Sequence, residues 1–252
     1  MSFTVSADAY DRFMGRYSVP LAPQLAFLAD IAAGQRVLDV GCGPGALTTE
    51  LVRRLGPAAV VAVDPSEPFV EAARERHPEV RVERASAEQL PFPDREFDAA
   101  LAQLVVHFMT DPVAGLREMA RVTKPGGVVA ACVWDHAGER TPLAVFWTAA
   151  RELDSNARDE SALAGAHEGH LAELMREAGL SEIEETLLEV PFGSETFDDW
   201  WEPFTLGVGP AGGYLTRLDG ERLARIREAA RDEFPDDRVV VARAWAVRGR
   251  PQ

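Results

Sequence analysis

Val37-Leu38-Asp39-Val40-Gly41-Cys42-Gly43-Pro44-Gly45 is the stretch on which the reading of this chain turns. Val37, Leu38 and Val40 form a short apolar run suited to a strand covered on both faces. Gly41, Gly43 and Gly45 then let the backbone turn tightly, with no Cβ between it and a ligand. The stretch from Ala46 to Leu55 continues as a helix. A glycine-rich turn between a buried strand and a helix suits a nucleoside-bearing ligand, but its spacing alone leaves the class of ligand open.

Outward from that turn, strand and helix patterns alternate. Ala59 to Val63 reads as a second buried strand ending in Asp64-Pro65-Ser66, with Ser66 as N-cap and Pro68 in the first turn of the next helix, which Pro78 ends. Val80 to Glu83 and Phe97 to Ala102 read as the third and fourth strands, and Asp111-Pro112 opens a helix carrying Leu116 and Met119. Lys124-Pro125-Gly126-Gly127 reads as a turn before a fifth strand, Val128 to Trp134. This rhythm predicts a parallel sheet with helices on both faces and a site at the carboxyl ends of its strands. Beyond it, Thr141 to Leu153 and Gly169 to Ala178 read as helices, and Ile183 to Val190 and Val239 to Val247 as a sixth and a seventh strand.

The expected organisation is one domain over residues 1–252: an N-terminal helical segment (1–34) closed by Gly34, a ligand-binding core (35–134), and helical lid segments at 141–166 and 192–235. Within the second lid segment, the glycine-rich stretch Gly207 to Gly213 reads as a loop, and the charge run from Asp219 to Asp237 as a solvated helix face.

Composition bounds the partners. The chain has 252 residues, 46% of them hydrophobic, so it can bury a substantial core. A formal charge of −15 repels phosphate backbones and anionic lipid, which argues against nucleic-acid and membrane partners. Cys42 and Cys132 have neither disulfide nor metal-ligand spacing, and the longest apolar run, Val128 to Trp134, is too short to cross a bilayer. A cytoplasmic protein, monomeric or homodimeric, is expected.

Several stretches match one family in order: Val37 to Gly45, the strand-ending Asp64, Ala85-Ser86-Ala87-Glu88-Gln89-Leu90-Pro91-Phe92, Phe97-Asp98, and Arg121-Val122-Thr123-Lys124-Pro125-Gly126-Gly127. The pattern resembles the class I S-adenosylmethionine-dependent methyltransferases, in particular the small-molecule branch that includes ubiquinone, menaquinone and natural-product methyltransferases. The resemblance implies a three-layer, Rossmann-like α/β fold with a seven-stranded, mostly parallel sheet whose last strand is antiparallel, under a helical lid. It also implies S-adenosylmethionine as cofactor. Asp39 agrees, because a carboxylate two residues before the first glycine sits badly beside a pyrophosphate and well beside a cationic amino acid moiety.

Each part of that cofactor needs its own partner. Asp64 can accept both ribose hydroxyls, with Pro65 beside it, and Asp39 can meet the amino group or orient the turn. Gly41, Gly43 and Gly45 permit close approach. Ser86 stands where many relatives carry an acidic residue for the adenine amino group, so that contact is weaker here or passes to Glu88, and Ala87 offers its backbone N–H. Gln103 ends the fourth strand within reach of the methionine part, and Tyr17 belongs to the segment covering the cleft.

For catalysis, His107 is the candidate base, and His136 a second one that ranks below it. No set of Asp, His and Asn at metal-ligand spacing follows the fifth strand, so no metal is expected. Tyr10, Phe13, Tyr17, Phe146, Trp147, Trp200, Trp201 and Phe204 would form a lid core or line a pocket for a flat or apolar acceptor, with one of the adjacent tryptophans facing it. Two other functions fit parts of the sequence: an NAD(P)-dependent oxidoreductase, since Gly41 to Ala46 also fits G-x-G-x-x-A, and a non-catalytic S-adenosylmethionine-binding protein. Asp39 and the stretch from Ala85 to Phe92 argue against the first.

Overall fold

The computed structural model describes residues 6–155, 157 and 159–252. The first five residues of the expected N-terminal segment, and residues 156 and 158 of the expected 141–166 segment, lie outside the described residues. The chain starts with α1 (Ala7–Tyr10), a π-helical turn (Asp11–Gly15) and α2 (Arg16–Leu28). The core follows as β1 (Val37–Val40), α3 (Ala46–Leu55), β2 (Val60–Asp64), α4 (Glu67–Arg76), β3 (Arg81–Arg84), β4 (Phe97–Gln103), α5 (Pro112–Val122) and β5 (Thr123–Trp134). The remainder is α6 (Ala144–Leu153), α7 (His170–Glu177), β6 (Ser181–Gly193), α8 (Phe197–Trp201), α9 (Gly209–Leu215), α10 (Gly220–Glu233) and β7 (Val239–Arg250).

The seven strands lie in the order β3-β2-β1-β4-β5-β7-β6. β1 to β5 pair in parallel, and β7 runs antiparallel to both of its neighbours, as the resemblance implied. From β1 the chain steps outward to β2 and β3, then crosses back to place β4 on the other side of β1. That reversal opens a crevice at the carboxyl ends of β1 and β4.

Alternation along buried strands divides the core. Val37 packs with Leu21, Leu25, Leu47 and Leu51 of α2 and α3, whereas Leu38 and Val40 pack with Leu116, Met119, Leu171 and Met175 of α5 and α7 on the opposite face. Each of these large aliphatic side chains contributes about 1.5–3 kcal/mol by leaving water. A third cluster unites Phe13, Phe146, Trp147, Phe197, Trp200, Trp201 and Phe204, with Val240 of β7 among its members, so the helices outside the core share an aromatic cluster. Both adjacent tryptophans are buried in it, and neither lines a cavity beside the sheet.

Three local readings need correction. The first long helix stops at Leu28 rather than at Gly34. Lys124–Gly127 lies inside β5: the pairing jumps from Phe97 with Thr123 to Ala99 with Val128, so these residues bulge out of a strand that has already begun. Gly207 to Gly213 is largely helical, because α9 starts at Gly209. There glycine serves packing, since a Cβ on Gly212 would come within 2.5 Å of the Gly207 carbonyl carbon.

Candidate active site

The strand-to-helix turn is built by backbone. Gly41 and Cys42 both donate to the Val63 carbonyl, at 2.8 and 2.9 Å, which ties the end of β1 to β2. Gly41 has φ +70°, and a Cβ there would come within 2.4 Å of Val105 Cγ2, so glycine is required on both counts. The Asp64 carboxylate accepts the Gly43 N–H at 2.9 Å through Oδ2 and the Ser66 N–H at 2.8 Å through Oδ1. Burial raises its pKa, and these two backbone bonds oppose the rise.

The crevice holds a cleft of about 340 Å³. Gly41, Gly43, Asp64, Pro65, Ser86, Ala87, Glu88 and Gln103 all line it, so residues from four separate stretches converge. Gln103 donates Nε2–H to the Ser18 carbonyl at 3.0 Å, while its buried Oε1 has no hydrogen-bond partner. Glu88 accepts the Thr110 N–H at 2.8 Å and so ties its segment to the loop before α5.

Three anticipated residues stand back from the cleft surface. Asp39, 1% exposed, accepts the Thr48 hydroxyl at 2.6 Å through Oδ2 and leaves Oδ1 unpartnered. Burial lifts its pKa to about 7 against the opposing Thr48 bond. It therefore braces α3 rather than the turn amides. Gly45 is the N-cap of α3, at φ +101°. Tyr17 is buried beside Phe192 and Trp134, with ring centroids 5.0 and 6.4 Å away. Tyr10, seven residues earlier, lines the cleft instead, 5.2 Å edge-on from Phe69. Burial, followed by the charges of Asp64 and Asp11, pushes its hydroxyl pKa up.

A second, inner cavity adjoins the cleft and shares Tyr10, Leu104 and Phe108 with it. Leu104 sits at the junction with φ +60°, a left-handed conformation that costs a β-carbon residue about 1–3 kcal/mol. His107 lines the inner cavity from a short 3₁₀ turn (Val106–Phe108). Its ring lies 3.9 Å from that of Phe108 and 5.9 Å from that of His136, which lines the same cavity. Burial, and then His136, hold the His107 pKa well below the usual imidazole range, and burial brings His136 down to about 4. Asp135, between Trp134 and His136, accepts from the Gly138 N–H and the Trp245 indole and shapes the turn.

Sequence reasoning missed Glu160. It is 4% exposed, lines the inner cavity, and accepts the Trp147 indole N–H at 2.6 Å through Oε2. Burial raises its pKa to about 7. No local pattern marks it, because only the packing of a distant segment brings it to the cavity. Among the described residues, no group of three or more His, Cys, Asp or Glu could hold a metal ion, and no helix is long and apolar enough to cross a membrane.

The cleft suits a ligand with hydroxyl and ammonium donors. It offers a buried carboxylate, an unpartnered amide oxygen and backbone with no Cβ, a donor-and-space set that fits S-adenosylmethionine. The family described as a methyltransferase domain matches residues 38–131. An uncharacterized methyltransferase of Mycobacterium tuberculosis is 39% identical over 140 residues, an alignment covering 56% of this chain and 54% of the relative. The chain thus spans about half the length of that relative. Malonyl-[acyl-carrier protein] O-methyltransferase of Halorhodospira halophila is 30% identical, covering 100% of this chain and 88% of the relative. Among solved structures, the YcgJ protein of Bacillus subtilis superimposes with a TM-score of 0.59 at 21% identity, covering 93% of this chain and 98% of the other, a likeness of fold. With the crevice, its acidic strand end and a relative matched along its whole length, the chain belongs to the class I S-adenosylmethionine-dependent methyltransferases.

Proposed function

We propose that this protein transfers a methyl group from S-adenosylmethionine to a small apolar acceptor. The observation that carries the reading is the pair of adjoining cavities, one with Asp64, Ser86, Glu88 and Gln103 among its walls, the other mostly apolar, meeting at Tyr10, Leu104 and Phe108. In this reading Asp64 receives the ribose hydroxyls, Gln103 Oε1 receives a donor from the methionine part, and Ser86, Ala87 and Glu88 enclose the adenine. Asp39 acts from beneath, through Thr48, to fix the start of α3.

The cofactor supplies a methyl group on sulfonium, an activated leaving group, so positioning provides much of the acceleration. His107 is placed to take the acceptor's proton. Burial holds its pKa well below the usual imidazole range, so the ring is neutral and free to accept a proton, though a weaker base than an exposed imidazole. Phe13, Leu143 and Val208 give the inner cavity apolar walls. That cavity measures about 40 Å³, whereas ~150 Å³ is needed to take a benzene-sized guest, so an acceptor of that size enters only when the lining rearranges.

The test is incubation with methyl-labelled S-adenosylmethionine and a panel of small aromatic and aliphatic alcohols, phenols, amines and acids. Label transfer to an apolar member supports the reading. Label appearing only on protein or RNA would contradict it.

A further inference from the structure

The inner cavity carries more polarity than proton removal requires. Three buried ring nitrogens of its lining lack hydrogen-bond partners: Nδ1 of His107, Nε2 of His136 and Nε1 of Trp134. An unmet buried polar group costs about 1–3 kcal/mol, so these atoms mark where polar atoms of a ligand belong. Indole N–H only donates, whereas a neutral imidazole donates at one nitrogen and accepts at the other. Together they satisfy an oxygen that bears a hydrogen.

The charge balance is equally particular. Among the described residues lining the cavity, Glu160 is the sole acid and there is neither Lys nor Arg. The Trp147 indole N–H holds its Oε2 at 2.6 Å. A carboxylate-bearing acceptor would therefore find no Lys or Arg in the lining, and beside Glu160 it would either meet a like charge or force that carboxyl to keep a proton, which costs binding above its pKa of about 7. An ammonium group would have to shed its water next to a cationic cofactor. A neutral hydroxyl meets neither penalty.

We propose that the inner cavity selects an apolar acceptor through an uncharged hydroxyl group, with Glu160 as the specificity-determining residue that excludes carboxylate-bearing acceptors. The proposal rests on reading the inner cavity as the acceptor site. Burial supports it by keeping both histidines neutral near pH 7.

The experiment titrates the 252-residue protein, saturated with S-adenosylhomocysteine, with phenol and separately with benzoate at about pH 7.5. The Trp134 and Trp147 indole N–H resonances are followed by NMR. The expected result is phenol binding about tenfold tighter than benzoate. Glu160→Gln, which keeps an acceptor for Trp147, should tighten benzoate about fivefold and change phenol less than about twofold. Benzoate binding the wild type as tightly as phenol would overturn the proposal without any variant, and so would an unchanged ratio in Glu160→Gln. Ala211→Phe, which fills the cavity, separates this from failure of the underlying reading. If phenol leaves Trp134 unmoved, or shifts it equally in Ala211→Phe, the acceptor-site assignment itself falls, and the proposal with it. If binding is blocked in Ala211→Phe but shows no preference for phenol, only the role of Glu160 falls.

Discussion

The cofactor cleft and the inner cavity touch along three residues, yet they are made in different ways. The cleft is a product of backbone: the end of β1 bends onto the Val63 carbonyl, Asp64 holds two amides, and Gly41 leaves room that any β-carbon would take from Val105. The inner cavity is made of side chains from six places, the N-terminal segment, the turn after β4, the end of β5, the start of α6, the stretch around Glu160 and the start of α9. Backbone geometry constrains residue type tightly, whereas a wall of side chains accepts any set that packs. The first region can therefore stay fixed while the second varies, which is how one fold comes to serve many acceptors.

Substitutions on either side should separate the two regions. The largest effect is expected for Asp64→Ala, which removes a ligand acceptor and strands the Gly43 and Ser66 amides. Charge-assisted bonds of ~1.5–3 kcal/mol each imply a loss of S-adenosylhomocysteine affinity of about 100-fold or more, readable by calorimetry. An affinity within threefold of wild type would mean that the cleft does not hold the ribose at Asp64. His107→Ala should do the reverse, leaving that affinity within about twofold and lowering turnover about 100-fold. Unchanged turnover would remove His107 from the chemistry.

The smallest effect is on stability against pH. His136 has a folded pKa of about 4, below its ordinary 6.5, so the unfolded chain binds more protons in between. Its contribution is intact above about pH 6.5 and is lost as pH falls toward 4. Glu160 has the opposite sign: with a folded pKa of about 7 against 4.5, its contribution is complete at low pH and is lost as pH rises through 7. Chemical unfolding at pH 7 and pH 5 should show a smaller acid loss in His136→Gln than in wild type. Equal losses would mean that His136 is not buried in its neutral form.

How much was legible follows the same division. Asp39, Gly41, Gly43 and Asp64 lie in a strand–turn–helix pattern whose periodicity and glycine spacing are local, and β1, α3 and β2 form where that pattern places them. Pro125 and Gly126 were legible as turn chemistry, but pairing with β4 drew them inside β5 as a bulge. Gly209 to Gly213 looked like a loop because helix propensity counts against glycine, and tertiary packing against Gly207 overrode it. Tyr17 and Tyr10 lie in one aromatic cluster, and sequence could not tell which would reach the cleft. Glu160 gave no signal at all, since its position depends on Trp147 and on the lid core.

The central claim is that the crevice between β1 and β4 binds S-adenosylmethionine. Calorimetric titration of the wild-type protein with S-adenosylhomocysteine, and separately with NAD and NADP, tests it most directly. Saturable binding of S-adenosylhomocysteine at one site per chain, with no heat from either dinucleotide, is the predicted result. Tight binding of NAD or NADP with none of S-adenosylhomocysteine would contradict it.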